Sequence, residues 1–175
     1  LEDPVEYTFK GINQIEIKEP LSFADGLRAI LRQDPDVILV GEIRDYETAD
    51  LCFKAAATGH LVISTLHANS AVKVIERLRN MGVEDYMINS NLKFSAAQRL
   101  VKKLCQACSI EAVNGRSRNP HGCRYCKNGI SGRVPVMEYL TKDELSNNNK
   151  LVPKVTLAQE YMKKASKGLI DIKEV

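Results

Sequence analysis

The sequence predicts an α/β fold with a largely parallel sheet. Three observations carry that expectation. Two short, nearly unbroken apolar runs lie at 37–40 and 61–66, as in strands. Each is followed by a stretch whose apolar residues recur with helical spacing. Gly, Pro or Asp stands at the joins, and strand–helix–strand–helix order favours parallel pairing.

Residues 1–20 read as strand and loop, with apolar–polar alternation in Gln14-Ile15-Glu16-Ile17-Lys18. A helix is expected over 22–33. Ser22 and Asp25 resemble a capping box, and Phe23, Leu27, Ile30 and Leu31 form its apolar stripe. Arg28 and Arg32 then share a roughly opposite face. Asp34-Pro35 stops that helix. The run 37–40 reads as a strand covered on both faces. Asp45 caps a second helix that ends at Gly59, with Ala49, Cys52, Phe53 and Ala56 on its apolar side. A third helix runs over 71–81 with Val74, Ile75 and Leu78 inward, closed by Gly82. Helical patterning resumes over 84–104. A short strand is expected at 134–140, a polar loop at 146–150, and a last helix from Thr156, paired with Gln159, to about Gly168.

The chain has 175 residues, enough for one domain or one domain with a small module. A net charge of +3 is too small to point to nucleic acid or a membrane surface. No apolar stretch reaches the length of a membrane span, and no signal peptide is visible. The first residue is Leu, so the chain is expected to be a piece of a longer protein.

The chemistry concentrates at a few places. Val37-Ile38-Leu39-Val40-Gly41-Glu42 ends an apolar run in Gly and an acid. A strand delivering one carboxylate to a sheet mouth suits Mg²⁺ and phosphate chemistry. The plainer reading of Glu42 is an ion pair with Arg44. Glu2-Asp3-Pro4-Val5-Glu6 is an acid cluster in which Glu2 could orient or deprotonate water. His60 and His67 flank the second strand. Their odd spacing points them to opposite faces, on the order of 20 Å apart, which argues against a shared metal. Either one suits a hydrogen bond to phosphate or to a neighbouring loop.

Cys105, Cys108, Cys123 and Cys126 form C-x₂-C-x₁₄-C-x₂-C. Without secretory signs, paired knuckles read as a closed tetrahedral Zn²⁺ site. Cys52 stands apart, on an apolar helix face, as a small buried hydrophobe. Lys102, Lys103, Arg116, Arg118, Arg124 and Lys127 make the knuckles' neighbourhood basic, so a zinc ribbon gripping nucleic acid is an alternative reading.

Three segments together resemble a family. They are Leu-Glu-Asp-Pro-Val-Glu-Tyr (1–7), Gly-Leu-Arg-Ala-Ile-Leu-Arg-Gln-Asp-Pro-Asp-Val-Ile-Leu-Val-Gly-Glu-Ile-Arg-Asp (26–45) and Thr-Gly-His-Leu-Val-Ile-Ser-Thr-Leu-His-Ala-Asn (58–69). They look like the Asp box, Walker B and His box of the type II secretion and type IV pilus assembly ATPases. Gln98-Arg99-Leu100-Val101 before the cysteines is similar to the extension-type members.

The resemblance implies part of a RecA-like P-loop ATPase core over 1–104, a tetracysteine zinc module over 105–130, and a strand with a small helical region over 131–175. It implies that Glu2 is the general base, that Glu42 supports Mg²⁺, and that His67 contacts the terminal phosphate with His60 as companion. It gives Arg28, Arg32, Arg44 and Arg133 to phosphates within or between subunits, where a guanidinium neutralises phosphoryl charge. ATP, Mg²⁺ and structural Zn²⁺ are the implied cofactors. The implied setting is a cytoplasmic homo-hexamer, peripheral at the inner membrane, working on platform and assembly proteins, with no nucleic acid. One element of the family is missing: no G-x-x-x-x-G-K-[ST] loop occurs here. The chain as given is therefore expected to bind ATP poorly and hydrolyse it negligibly. The alternatives are a nucleic-acid translocase and a non-enzymatic oligomerisation or docking module.

Overall fold

A computed structural model describes residues 1–146 and 151–174. The polar run expected at 146–150 lies, beyond Ser146, outside the described residues. The chain divides into two units, Leu1–Asn69 with Lys73–Lys93, and Ser70–Val72 with Phe94–Val175.

The first unit holds helix α1 (Phe23–Ile30), strand β1 (Val37–Val40), helix α2 (Tyr46–Ala57), strand β2 (Leu61–Ser64), most of α3 (Ala71–Asn80), and α4 (Asp85–Asn91). Helix α1 starts where the sequence places it. The Ser22 hydroxyl accepts from Asp25 N–H at 3.1 Å and donates to the Asp25 carboxylate at 2.7 Å. Its buried face is Phe23, Ala24, Gly26 and Leu27, and each large apolar side chain there contributes about 1.5–3 kcal/mol. Residues Leu31–Gln33 tighten into a 3-10 turn, and Asp34, at φ 52°, turns the chain out of it. Helix α2 is capped by Asp45, whose carboxylate accepts from Thr48 N–H at 2.8 Å. Gly59, at φ 105°, follows its end.

Strands β1 and β2 pair in parallel, Val37 with Leu61 through Val40 with Ser64. Two further segments extend this ladder. Leu1 lies beside β1, its carbonyl accepting from Gly41 N–H at 2.8 Å. Glu2 lies beside residues 15–17, donating its N–H to Ile15 O at 3.1 Å and accepting from Ile17 N–H at 2.8 Å. Among the described residues, one face of β1–β2 is covered and the other is not. Ile38 and Val40 are buried, but Val37 is 57% exposed, Leu39 50%, Leu61 55% and Ile63 48%. The expectation of a strand covered on both faces fails because the helices of this unit bury the other face alone.

The second unit is built on a long antiparallel ribbon. Strand β3 (Phe94–Leu104) pairs along its length with β6 (Ile130–Thr141), Phe94 opposite Thr141. Between them lie the hairpin β4 (Ile110–Ala112) and β5 (Gly115–Ser117) and the four cysteines. Helices α5 (Lys142–Leu145) and α6 (Leu157–Ser166) follow. Val101 and Val136 of the ribbon pack with Ala165 and Ile170 into the unit's core. The helical patterning over 84–104 is therefore half right. It holds for α4, but 94–104 is strand, because pairing with β6 overrides the helix propensity of Ala, Gln, Leu and Lys. The expected strand at 134–140 exists and is longer. Thr156 and Gln159 start α6 as read, and they do so as a capping box, each residue's side chain accepting from the other's backbone N–H.

Candidate functional site

Backbone pairing in the first unit sets the site. The Leu1–Gly41 hydrogen bond brings the backbone of the first acid segment beside the end of β1. Gly41 is required by that approach: a Cβ there would meet the Leu1 carbonyl oxygen at 3.0 Å and Glu2 Cα at 3.5 Å. At Gly26 a Cβ would meet the tip of the Leu1 side chain at 2.8 Å, a contact that a shift of that side chain can relieve.

From β2 the chain continues alongside. Ile43 N–H donates to Thr65 O at 3.0 Å, and the Thr65 hydroxyl donates to Gly41 O at 2.5 Å. That register sets His67 next to Glu42, with His67 Nε2 3.2 Å from Glu42 Oε2. The other carboxylate oxygen, Oε1, accepts from Arg44. Asp3 lies 3.5 Å from the same guanidinium. The site is thus a chain of polar contacts: Asp3, Arg44, Glu42, His67. The Arg44 guanidinium beside Glu42 holds that carboxyl below the usual glutamate range, with a smaller contribution from His67.

Several residues named from sequence lie elsewhere. Arg28 is held by Asp25 at 3.0 Å and by Glu47. Arg32 is exposed in the 3-10 turn after α1. The two no longer sit on one continuous α-helical face, because the helix tightens between them. His60 is at the opposite end of β2 from His67, and its Nδ1 lies 3.0 Å from Ala55 O at the end of α2. Arg133 lies on β6 in the second unit.

Other residues at the site had no motif to announce them. An open groove of about 380 Å³ beside His67 is lined by Asn69, Lys73, Arg77 and Asn80. The i, i+4 spacing of Lys73 and Arg77 was the available signal. Gln14 also reaches the site, donating from Nε2 to Glu2 Oε2 at 2.7 Å.

The chemistry fits a hydrolytic phosphate site. Two carboxylates meet a guanidinium and an imidazole at the mouth of a parallel sheet. Glu42 engages both oxygens, so it suits Mg²⁺ through the metal's water shell better than as a direct ligand.

In the second unit, Cys105 and Cys123 Sγ lie 3.7 Å apart, Cys108 and Cys126 3.6 Å, and Cys123 and Cys126 3.7 Å. A tetrahedron with Zn–S bonds of the usual length has edges of about 3.8 Å. Three of the six edges match that length, and all four sulfurs lie within 4.8 Å of one another, so the four thiols fit a Zn²⁺ site. Cys123 N–H points at Cys126 Sγ at 3.3 Å, supporting the thiolate from outside. Cys52 is buried in α2, and burial pushes its thiol up to about 12, as suits an inert packing residue.

The family profile described as "Type II/IV secretion system protein" matches residues 1–174. The type IV pilus assembly ATPase PilB of Pseudomonas aeruginosa is 46% identical over 156 residues, covering 78% of this chain and 28% of its own length. The type II secretion system protein E of Pectobacterium carotovorum is 47% identical over 154 residues, covering 79% of this chain and 31% of its own. The chain thus spans about a third of the curated relatives it matches. Among solved structures, the pilus retraction motor PilT with bound ADP superposes with a TM-score of 0.74 at 33% identity, over 99% of this chain and 49% of that one. The Legionella pneumophila ATPase DotB superposes with a TM-score of 0.70 at 25% identity, over 98% and 48%.

Proposed function

The chain belongs to the Type II/IV secretion system protein family, and on that premise we propose that it carries part of the hydrolytic site of an ATP-driven motor for type IV pilus assembly or type II protein secretion. The observation that carries this reading is the backbone bond from Gly41 to Leu1, which brings the first acid segment to the end of β1, where Asp3 meets the Arg44–Glu42–His67 cluster.

In the reaction, water attacks the terminal phosphorus of ATP and the bond to the bridging oxygen of ADP breaks. Glu2 takes the water's proton as general base. Mg²⁺ bound with ATP would supply charge neutralisation at the phosphoryl oxygens. Glu42 is the carboxylate that would hold its water shell. His67, exposed beside Glu42, donates to the terminal phosphate in this reading. Arg44 orients Glu42, and Arg28, Arg32, Arg133 and His60 serve phosphates within a subunit or across a subunit boundary.

In this reading residues 1–104 are the C-terminal part of a RecA-like core, 105–130 hold structural Zn²⁺, and 131–175 form a C-terminal strand and helical region. The working unit is a cytoplasmic homo-hexamer, attached at the inner membrane through platform and assembly proteins. No helix among the described residues is long and apolar enough to cross a membrane. The 175-residue chain contains no phosphate loop, so by itself it turns over ATP negligibly.

Steady-state hydrolysis by the full-length protein tests the proposal. Glu42→Gln and Glu2→Gln should each lower kcat by about 10²–10⁴-fold. Equal and negligible activity in wild type and both variants would instead support a docking or oligomerisation module.

A further inference from the structure

Three hydrogen bonds converge on one amide in the loop after the first acid segment. Gln14 Nε2 donates to Glu2 Oε2 at 2.7 Å and to Tyr7 O at 2.9 Å. Gln14 Oε1 accepts from Phe9 N–H at 2.8 Å. Both donors and the acceptor of the amide group are thus committed, and its orientation is fixed by the backbone at 7 and 9.

The Glu2 main chain is pinned on both sides, through Leu1 to β1 and through its own N–H and carbonyl to Ile15 and Ile17. Pinning the backbone leaves the carboxylate free to rotate about its side-chain bonds. Gln14 removes that freedom. It sits one residue before Ile15, so the bridge that holds the Glu2 backbone also brings the amide to its carboxylate.

We propose that Gln14 is a positioning residue, which holds the Glu2 carboxylate in one orientation by donating to Oε2 and leaves Oε1 to receive the proton from water. The inference rests on the proposal that Glu2 is the general base. It adds a requirement of geometry, since a catalytic group displaced by about 1 Å can lose about 10²-fold in rate.

The test uses the full-length protein. Gln14→Glu keeps the side-chain length and the acceptor for Phe9 N–H, but sets a second carboxylate against Glu2. Gln14→Met removes donor and acceptor at similar size and serves as the second variant should the first misfold. Either should lower kcat by about 10–100-fold while KM for ATP and binding of a fluorescent ATP analogue stay within about threefold. In a Glu2→Gln background, adding Gln14→Glu should change kcat by less than about twofold, because a residue acting through Glu2 has nothing left to position.

A Tm loss with kcat preserved in both variants overturns the proposal and leaves Gln14 a loop tie. A full further loss of kcat in the Glu2→Gln background also overturns it. Wild-type kcat in Glu2→Gln alone sinks the general-base reading itself, a result separate from either of the others.

Discussion

Glu42 shows how a neighbouring guanidinium keeps one carboxylate charged. Arg44 and His67 each meet one of its oxygens, and its proton affinity falls below that of an ordinary glutamate. The stability this adds is fully present above the ordinary glutamate pKa of about 4.3. It is lost as pH falls through the lowered native value. Arg44→Met should raise the Glu42 titration midpoint toward the ordinary value, read by carboxyl NMR. An unmoved midpoint would refute Arg44 as the cause. Because Arg44 is largely exposed, the shift should also shrink in high salt. At this scale much was legible from residue type and spacing: Ser22 and Asp45 as caps, Glu42 at a strand end, four cysteines in two knuckles. Gln14 was not legible. Its contact depends on parallel pairing between Glu2 and Glu16, and an amide in an alternating stretch carries no signal of that pairing.

Element α3 begins on an acid from another strand. Glu138, buried on β6, accepts from Ala71 N–H at 2.7 Å, and the Ser95 hydroxyl donates to Ala71 O at 2.8 Å. A carboxylate at a helix N-terminus meets both an orphan donor and the positive end of the helix dipole. Glu138→Leu strands that donor and should cost about 1–3 kcal/mol in urea unfolding, whereas Glu138→Gln, which keeps an acceptor, should cost less. Equal losses in both would exclude the hydrogen bond as the source. The helices with caps and a clean apolar stripe were readable. Strand β3 was not, since Phe-Ser-Ala-Ala-Gln-Arg-Leu-Val-Lys-Lys-Leu is locally good helix and only its partner β6 makes it strand. The bare face of β1–β2 was equally hidden, because an unbroken apolar run does not record which side finds a neighbour.

Across the molecule, the second unit joins a modest apolar core to a site that fits one metal. Metal analysis should find about one Zn²⁺ per chain, and Cys123→Ser or strong chelation should lower the Tm of this unit. A stably folded, metal-free wild-type protein would sink the zinc assignment. The boxes in the sequence implied the family and its chemistry. They held no information on how 94–104 is packed, which depends on contacts across some forty residues. The ribbon of β3 and β6 also has a mechanical character. Its hydrogen bonds run across the strands, so a load along the strands stretches them together, while a load splitting the ends breaks them in turn. Phe94 and Thr141 form the end at which the chain both enters and leaves, so tension between those two points peels the ribbon like a zipper. The Phe94 and Tyr139 rings, 5.6 Å apart, sit at that opening as its clasp.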